Sequence, residues 1–152
     1  MIIGGTGSGK TTFLNTIAFF IPPEARVVSI EDTREIALLH ENWLPSVSRE
    51  GVGAPTIAGF KQGEVTLFDL LKESFRQRPD YVIVGEIRGA ESFVLFQGMS
   101  SGHPSMGTMH AEDVQTMIRR LETPPINLSP SLVESLDAVC IISQVKIRGK
   151  NI

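Results

Sequence analysis

The chain has 152 residues, 41% of them hydrophobic and 20% charged, which excludes a disordered polymer and suits one compact domain with a buried core. Its 14 Lys and Arg stand against 17 Asp and Glu, a net charge of −3, so it is not a broadly basic nucleic-acid binder. A single cysteine excludes a disulfide framework or cysteine-rich zinc site, and no apolar run approaches the roughly 20 residues that cross a bilayer.

In chain order, Met1-Ile2-Ile3 leaves a strand of three residues before a glycine-rich run starting at Gly4, and no secretory signal is expected. So short a strand leads us to expect a piece of something longer. Thr12 to Phe20 carries Phe13, Leu14, Ile17 and Ala18 near helical period, and Pro22-Pro23 stops it. Arg26 to Ile30 reads as a buried strand, and a helical turn is expected around Glu35 to His40. Gly51 to Gly63, with four glycines and Pro55, reads as a loop expected to be mobile. Thr66 and Asp69 form a capping-box pattern ahead of a helix whose Leu67, Leu70, Leu71, Ser74 and Phe75 share a face; Arg78-Pro79-Asp80 ends it. Tyr81 to Val84 is an apolar strand, and Glu91 to Met99 a helix stopped near Gly102. Met106 to Met109 reads as a strand. Asp113 to Leu121 has Val114, Met117, Ile118 and Leu121 on one helical face. Ser129-Pro130 opens a short helix to Leu136. Ala138 to Gln144 is a final strand that Val145 to Arg148 extends or pairs with; Cys140 within it reads as a buried small hydrophobe. Strands alternating with helices predict a largely parallel α/β sheet covered on both faces.

Gly4-Gly5-Thr6-Gly7-Ser8-Gly9-Lys10-Thr11 fits G-x-x-x-x-G-K-[ST] between an apolar strand and an amphipathic helix. Glycines let the backbone curl so that successive N–H groups face a polyphosphate, and the positive end of the helix reinforces the site. Lys10 then reaches the β- and γ-phosphates, and Thr11 is a Mg²⁺ ligand. Gly5, Thr6, Gly7, Ser8, Gly9, Lys10, Thr11 and Thr12 are the expected nucleotide-binding residues.

Such a loop needs an acidic partner at the end of a neighbouring strand. Glu86 follows Tyr81-Val82-Ile83-Val84-Gly85, and is expected to act on the attacking water and on Mg²⁺ through water; Glu31 and Asp32 end another strand. Asp80, at the wrong end, reads as a turn or cap, while Glu35 and Glu50 read as solvated. His103 and His110 flank a short strand at a spacing unsuited to a metal, and from spacing alone both read as structural. His40 reads as packing.

Four phrases stand in order: GGTGSGKTT, SIEDTREIAL, DYVIVGEIRG and GHPSMGTMHAED. Together they resemble the type II/type IV secretion ATPase superfamily, with its Walker A loop, Asp box, atypical Walker B and His box. The resemblance runs from Ile3 to Gly149. IEDTREI, HENWLP, RQRPDYVIVGE and RLETPPINL look like archaeal members, which power the archaellum, type IV-like pili or a type II-like secretion apparatus. It implies that Glu86 is the Walker B glutamate, that Glu31 is the Asp-box glutamate tied to the attacking water and Mg²⁺, and that His110 approaches the phosphates. Arginines complete such sites from an N-terminal domain or an adjoining subunit, and Arg76, Arg78 and Arg88 are left unassigned.

The expectation is therefore a single RecA-like P-loop ATPase domain over residues 1–152, hydrolysing Mg-ATP. The resemblance adds a hexameric ring, a membrane platform protein as partner, and a cytoplasmic place at the membrane. Zinc and nucleic acid are not expected. Against the resemblance, the family's N-terminal domain is expected to lie outside these 152 residues, and its C-terminal end to be shortened. The alternatives are a nucleotide-binding module with little turnover as isolated, a small nucleotide kinase, for which the Gly51–Gly63 loop lacks arginines, and a DNA-pumping RecA-type protein.

Overall fold

The computed structural model describes residues 1–55, 59 and 61–144, and the backbone of 146–147 and 150–151. Six strands, β1 Ile2–Gly4, β2 Val27–Glu31, β3 Trp43–Val47, β4 Tyr81–Val84, β5 Ser105–His110 and β6 Cys140–Ile142, form one sheet in the order β3-β2-β4-β5-β1-β6. Every pairing in it is parallel. The helices are α1 Lys10–Ala18, α2 Leu67–Ser74, α3 Glu91–Ser100, α4 Val114–Glu122 and α5 Pro130–Val133.

Period-two alternation sorts the strand side chains between two cores. Ile3, Val28, Ile30, Val82, Val84 and Met109 face α2, α3 and α4 through Leu71, Leu95, Phe96, Met117 and Leu121, with Leu132 and Val133 of α5 packed against the same cluster. Ile2, Val27 and Ile83 face the other way, onto Leu14 and Ala18 of α1 and onto Ile36 and Leu38. Helices on both faces of a parallel sheet make this a RecA-like P-loop NTPase core, as expected. The helix starts follow local chemistry. Thr66 Oγ1 accepts from Asp69 N at 3.2 Å while Asp69 Oδ2 accepts from Thr66 N at 3.0 Å, completing the capping box. Asp113 Oδ1 accepts from Thr116 N at 2.6 Å, so α4 begins one residue later than the pattern suggests.

Three expectations are corrected. Glu35 to His40 is extended rather than helical. Its Glu35 and Ile36 N–H groups go to the Glu31 carboxyl and that of Ala37 to Asn15 Oδ1, so no helical ladder forms; Ile36 and Leu38 are buried while Ala37 and Leu39 are exposed. The chain then returns as β3, parallel to β2, a strand hidden in what reads as mixed sequence. Cys140 is exposed, because β6 closes one edge of the sheet and no described strand pairs with its outer side. Lys146–Ile147 does not prolong β6 either, but pairs antiparallel with Lys150–Asn151. Within the expected Gly51–Gly63 loop, Val52 bridges Gln62, beside the Arg49–Val65 bridge. Residues 56–58 and 60 of that loop, with Val145 and Arg148, lie outside the described residues.

Candidate nucleotide-binding site

Parallel strands place all their C-terminal ends on one edge of the sheet, and four of those ends carry the sequence motifs. Gly4 of β1 is paired with His110 of β5, and Val84 of β4 with Ile30 of β2, next to Glu31. The chain leaves β1 through Gly5–Gly9 and enters α1. Gly7 and Gly9, at φ 70° and 91°, take left-handed conformations that side chains rarely adopt. Gly9 is the N-cap of α1, and neither a side-chain cap nor an acidic residue occupies the first turn. The helix start is thus an open anion-binding end. Lys10 Nζ folds back over the loop, donating to the carbonyls of Gly5 at 2.8 Å and Gly4 at 3.2 Å.

A cleft of about 590 Å³ opens beside this loop. Thr6 to Thr12 line one side; Glu31, Asp32, Thr33 and Glu35 another; Gly85, Glu86, Arg88, Thr108 and His110 complete it. Every residue singled out for phosphate, Mg²⁺ or catalysis lines the cleft except Gly5, whose carbonyl instead receives Lys10.

The two glutamates differ. Glu86 is exposed. Glu31 is 1% exposed; its Oε1 accepts from Glu35 N at 2.8 Å and Ile36 N at 2.7 Å, while its buried Oε2 has no partner among the described residues. Two backbone N–H donors hold Oε1 in place, and a buried polar oxygen without a partner costs about 1–3 kcal/mol. Gly85 makes room for it: a Cβ there would stand 3.0 Å from Glu31 Cγ. Thr108 Oγ1 donates to the Gly85 carbonyl at 2.6 Å and so ties β5 to that turn. A side chain at residue 85 would press on the stem of Glu31.

His110 Nδ1 stands 3.4 Å from Thr6 Oγ1, a loose contact across the loop. Among the three arginines, Arg88 alone lines the cleft, paired with Asp32, whose other oxygen accepts from Ser48 Oγ at 2.7 Å. The Glu91 carboxyl, buried, accepts from the N–H groups of Arg88 and Gly89, both at 2.7 Å, and fixes that turn. Arg76 pairs with Glu73 at 3.4 Å on the surface, and Arg78 is exposed. His103 packs edge-on against Phe75 and His40 meets the Ile21 carbonyl at 3.0 Å, both away from the cleft. Asp80, expected as a turn or cap, instead accepts from Arg26 N at 2.7 Å and ties the residue before β4 to the residue before β2. Sequence reasoning missed Thr108, and also Gln144, whose Nε2 donates to the Gly7 carbonyl at 2.7 Å. Thr108 stands inside the His-box phrase; nothing local marks Gln144.

The family model described as "Type II/IV secretion system protein" matches residues 1–149. The chain belongs to this family. It is 44% identical over 150 residues, 99% of its length, to a protein of Methanocaldococcus jannaschii, and covers 53% of that relative. It is 40% identical over 112 residues to Protein VirB11 of Agrobacterium fabrum, covering 72% of this chain and 30% of the other. Among solved structures, the VirB11 ATPase of the Brucella suis type IV secretion system, in complex with sulphate, superposes with a TM-score of 0.71 at 25% identity over 95% of this chain and 42% of that one. The pilus retraction motor PilT with bound ADP gives 0.67 at 25% identity, over 99% and 44%. The chain thus spans about half the length of its archaeal relative or less of the others. Among the described residues, no helix is long and apolar enough to cross a membrane.

Proposed function

We propose that this chain is the ATP-hydrolysing core of a secretion or pilus-type motor, one domain that works in a hexameric ring against a membrane platform protein at the cytoplasmic face. The observation that carries the reading is Glu31: a buried carboxyl with one free oxygen, lining the same cleft as a Walker A loop. The relatives support it, since PilT is described with bound ADP and VirB11 with sulphate, an anion of phosphate shape. The N–H groups of Gly7 to Thr12 and the Lys10 ammonium bind the β- and γ-phosphates. Binding draws Lys10 from the Gly4 and Gly5 carbonyls, which hold it until then. Thr11 Oγ1 and, through water, Glu86 are the residues that would hold Mg²⁺, and the free Glu31 oxygen fits its hydration shell. That ion, when bound, offsets phosphate charge.

In the hydrolytic step, water attacks the γ-phosphorus in line and the bond to the β-γ bridging oxygen breaks, releasing ADP and phosphate. Glu86 orients the water and takes its proton, Glu31 Oε2 holds the water from the buried side, and His110 donates to a phosphate oxygen. Catalysis in such a site is largely positioning and charge stabilisation. Titration calorimetry with Mg-ATP tests the reading at its base. Binding is expected for the native chain and none for Lys10→Ala, which removes the phosphate loop's one side-chain cation; wild-type affinity in that variant overturns it.

A further inference from the structure

The segment after β6 reaches back to the phosphate loop. Ile142 is paired with Gly4 at the base of the loop, and two residues later Gln144 Nε2 donates to the Gly7 carbonyl at 2.7 Å. A peptide unit is planar and trans, so the carbonyl of Gly7 and the N–H of Ser8 point in opposite directions. With the carbonyl held by Gln144, the Ser8 N–H is turned the other way, toward the Gly5 carbonyl at 3.4 Å, the same acceptor that receives Lys10 Nζ at 2.8 Å. The Ser8 amide and the Lys10 ammonium therefore address one spot. The 3.4 Å contact is long, so that N–H is easily given up to a stronger acceptor.

Gly7 sits at φ 70°, and a glycine there allows the Gly7–Ser8 peptide to rotate at little steric cost. Rotated by half a turn, it would present a carbonyl oxygen where a phosphate needs a donor. We propose that Gln144 is a positioning residue for nucleotide binding: its amide locks the Gly7–Ser8 peptide so that Ser8 N–H joins Lys10 in facing the phosphates. This rests on the nucleotide-binding reading above and adds a residue that no motif contains.

Two variants of the full chain test it. Gln144→Met keeps the length and lacks the donor, and Gln144→Glu replaces the donor with an acceptor facing the Gly7 carbonyl; Gln144 is exposed, so both are expected to fold with unchanged thermal midpoint. In the ligand-free protein, NMR should show a shifted Ser8 amide resonance and faster amide exchange across Gly7–Gly9 in both. With Mg-ADP as probe, affinity should fall by roughly 3- to 10-fold in Gln144→Met, the worth of one exposed neutral hydrogen bond, and further in Gln144→Glu. Unchanged loop exchange, or wild-type ADP affinity in both variants, overturns the proposal. If the native chain bound no ADP, the nucleotide reading would fall, while the exchange measurement would still decide whether Gln144 locks this peptide.

Discussion

Glu31 and Glu86 stand at the ends of paired strands, yet their surroundings differ. Glu86 is exposed. Glu31 is anchored by two backbone donors and cannot swing without abandoning Glu35 and Ile36. Glu86→Gln keeps size and hydrogen bonding but accepts no proton, so Mg-ATP binding is expected to persist while turnover in a full-length enzyme falls by roughly 10²-fold or more. Steady-state kinetics beside equilibrium binding checks both halves. Glu31→Gln should behave otherwise. Its amide oxygen can still accept from Glu35 and Ile36, but an NH₂ then replaces the buried free oxygen. Turnover should drop with it, and stability change by no more than about 1 kcal/mol, whereas Glu31→Ala strands two backbone N–H groups and should cost about 2 kcal/mol or more in denaturant unfolding.

At the scale of elements, the helix caps carry a pH dependence. Thr66 donates its hydroxyl to Asp69 and holds that carboxyl below its usual range, with the Thr66 N–H adding to the effect. Asp113 is lowered in the same way, first by the N–H of Thr116. A carboxyl depressed in the folded state contributes stability above its unfolded pKa, near 4, and loses it as pH falls through the folded value. Acid titration followed by circular dichroism should therefore show the loss beginning below about pH 4, and Asp69→Asn should flatten the slope there. Thr66→Ala removes the cap acceptor and should lower stability by about 1 kcal/mol at neutral pH. The packing beyond the cap is unaffected, since Leu67, Leu71 and Ser74 still face the core.

For the whole molecule, the parallel sheet brings all four motifs to one edge but leaves that edge open. Thr6, Gly7, Thr12, Asp32, Glu86 and Arg88 are exposed around the cleft. A γ-phosphate there sits close to water, where each charge does less than in an enclosed site. Arg88 and Asp32 pair with one another at the rim of the cleft. We expect weak Mg-ATP binding and hydrolysis close to background by these 152 residues alone, with efficient turnover only where a second domain or subunit covers the cleft. Phosphate release per subunit, measured for this chain and for a full-length relative at equal concentration, checks it; equal rates would show that the site is complete within this core.

Much of this protein is written locally, and those parts were readable. The phosphate loop occupies consecutive residues from Gly4 to Thr11, the capping box spans Thr66 to Asp69, and the apolar run Tyr81 to Val84 is a strand from end to end. In each, the deciding forces act between near neighbours: left-handed glycines, a side chain bonding an N–H three residues on, β-branched residues in series. Distant contacts decided the rest. Glu35 to His40 has residues for a helical turn, but Glu31 and Asn15 take its N–H groups, so it runs extended. Cys140 sits in an apolar run, yet the edge position of β6 leaves it exposed. Gly85 is a missing side chain whose meaning appears only with Glu31 packed beside it. Gln144 touches a loop 137 residues away along the chain. Local patterns carry propensity, but the partner of a buried or loop-bound polar group is chosen by which segments the sheet order brings together.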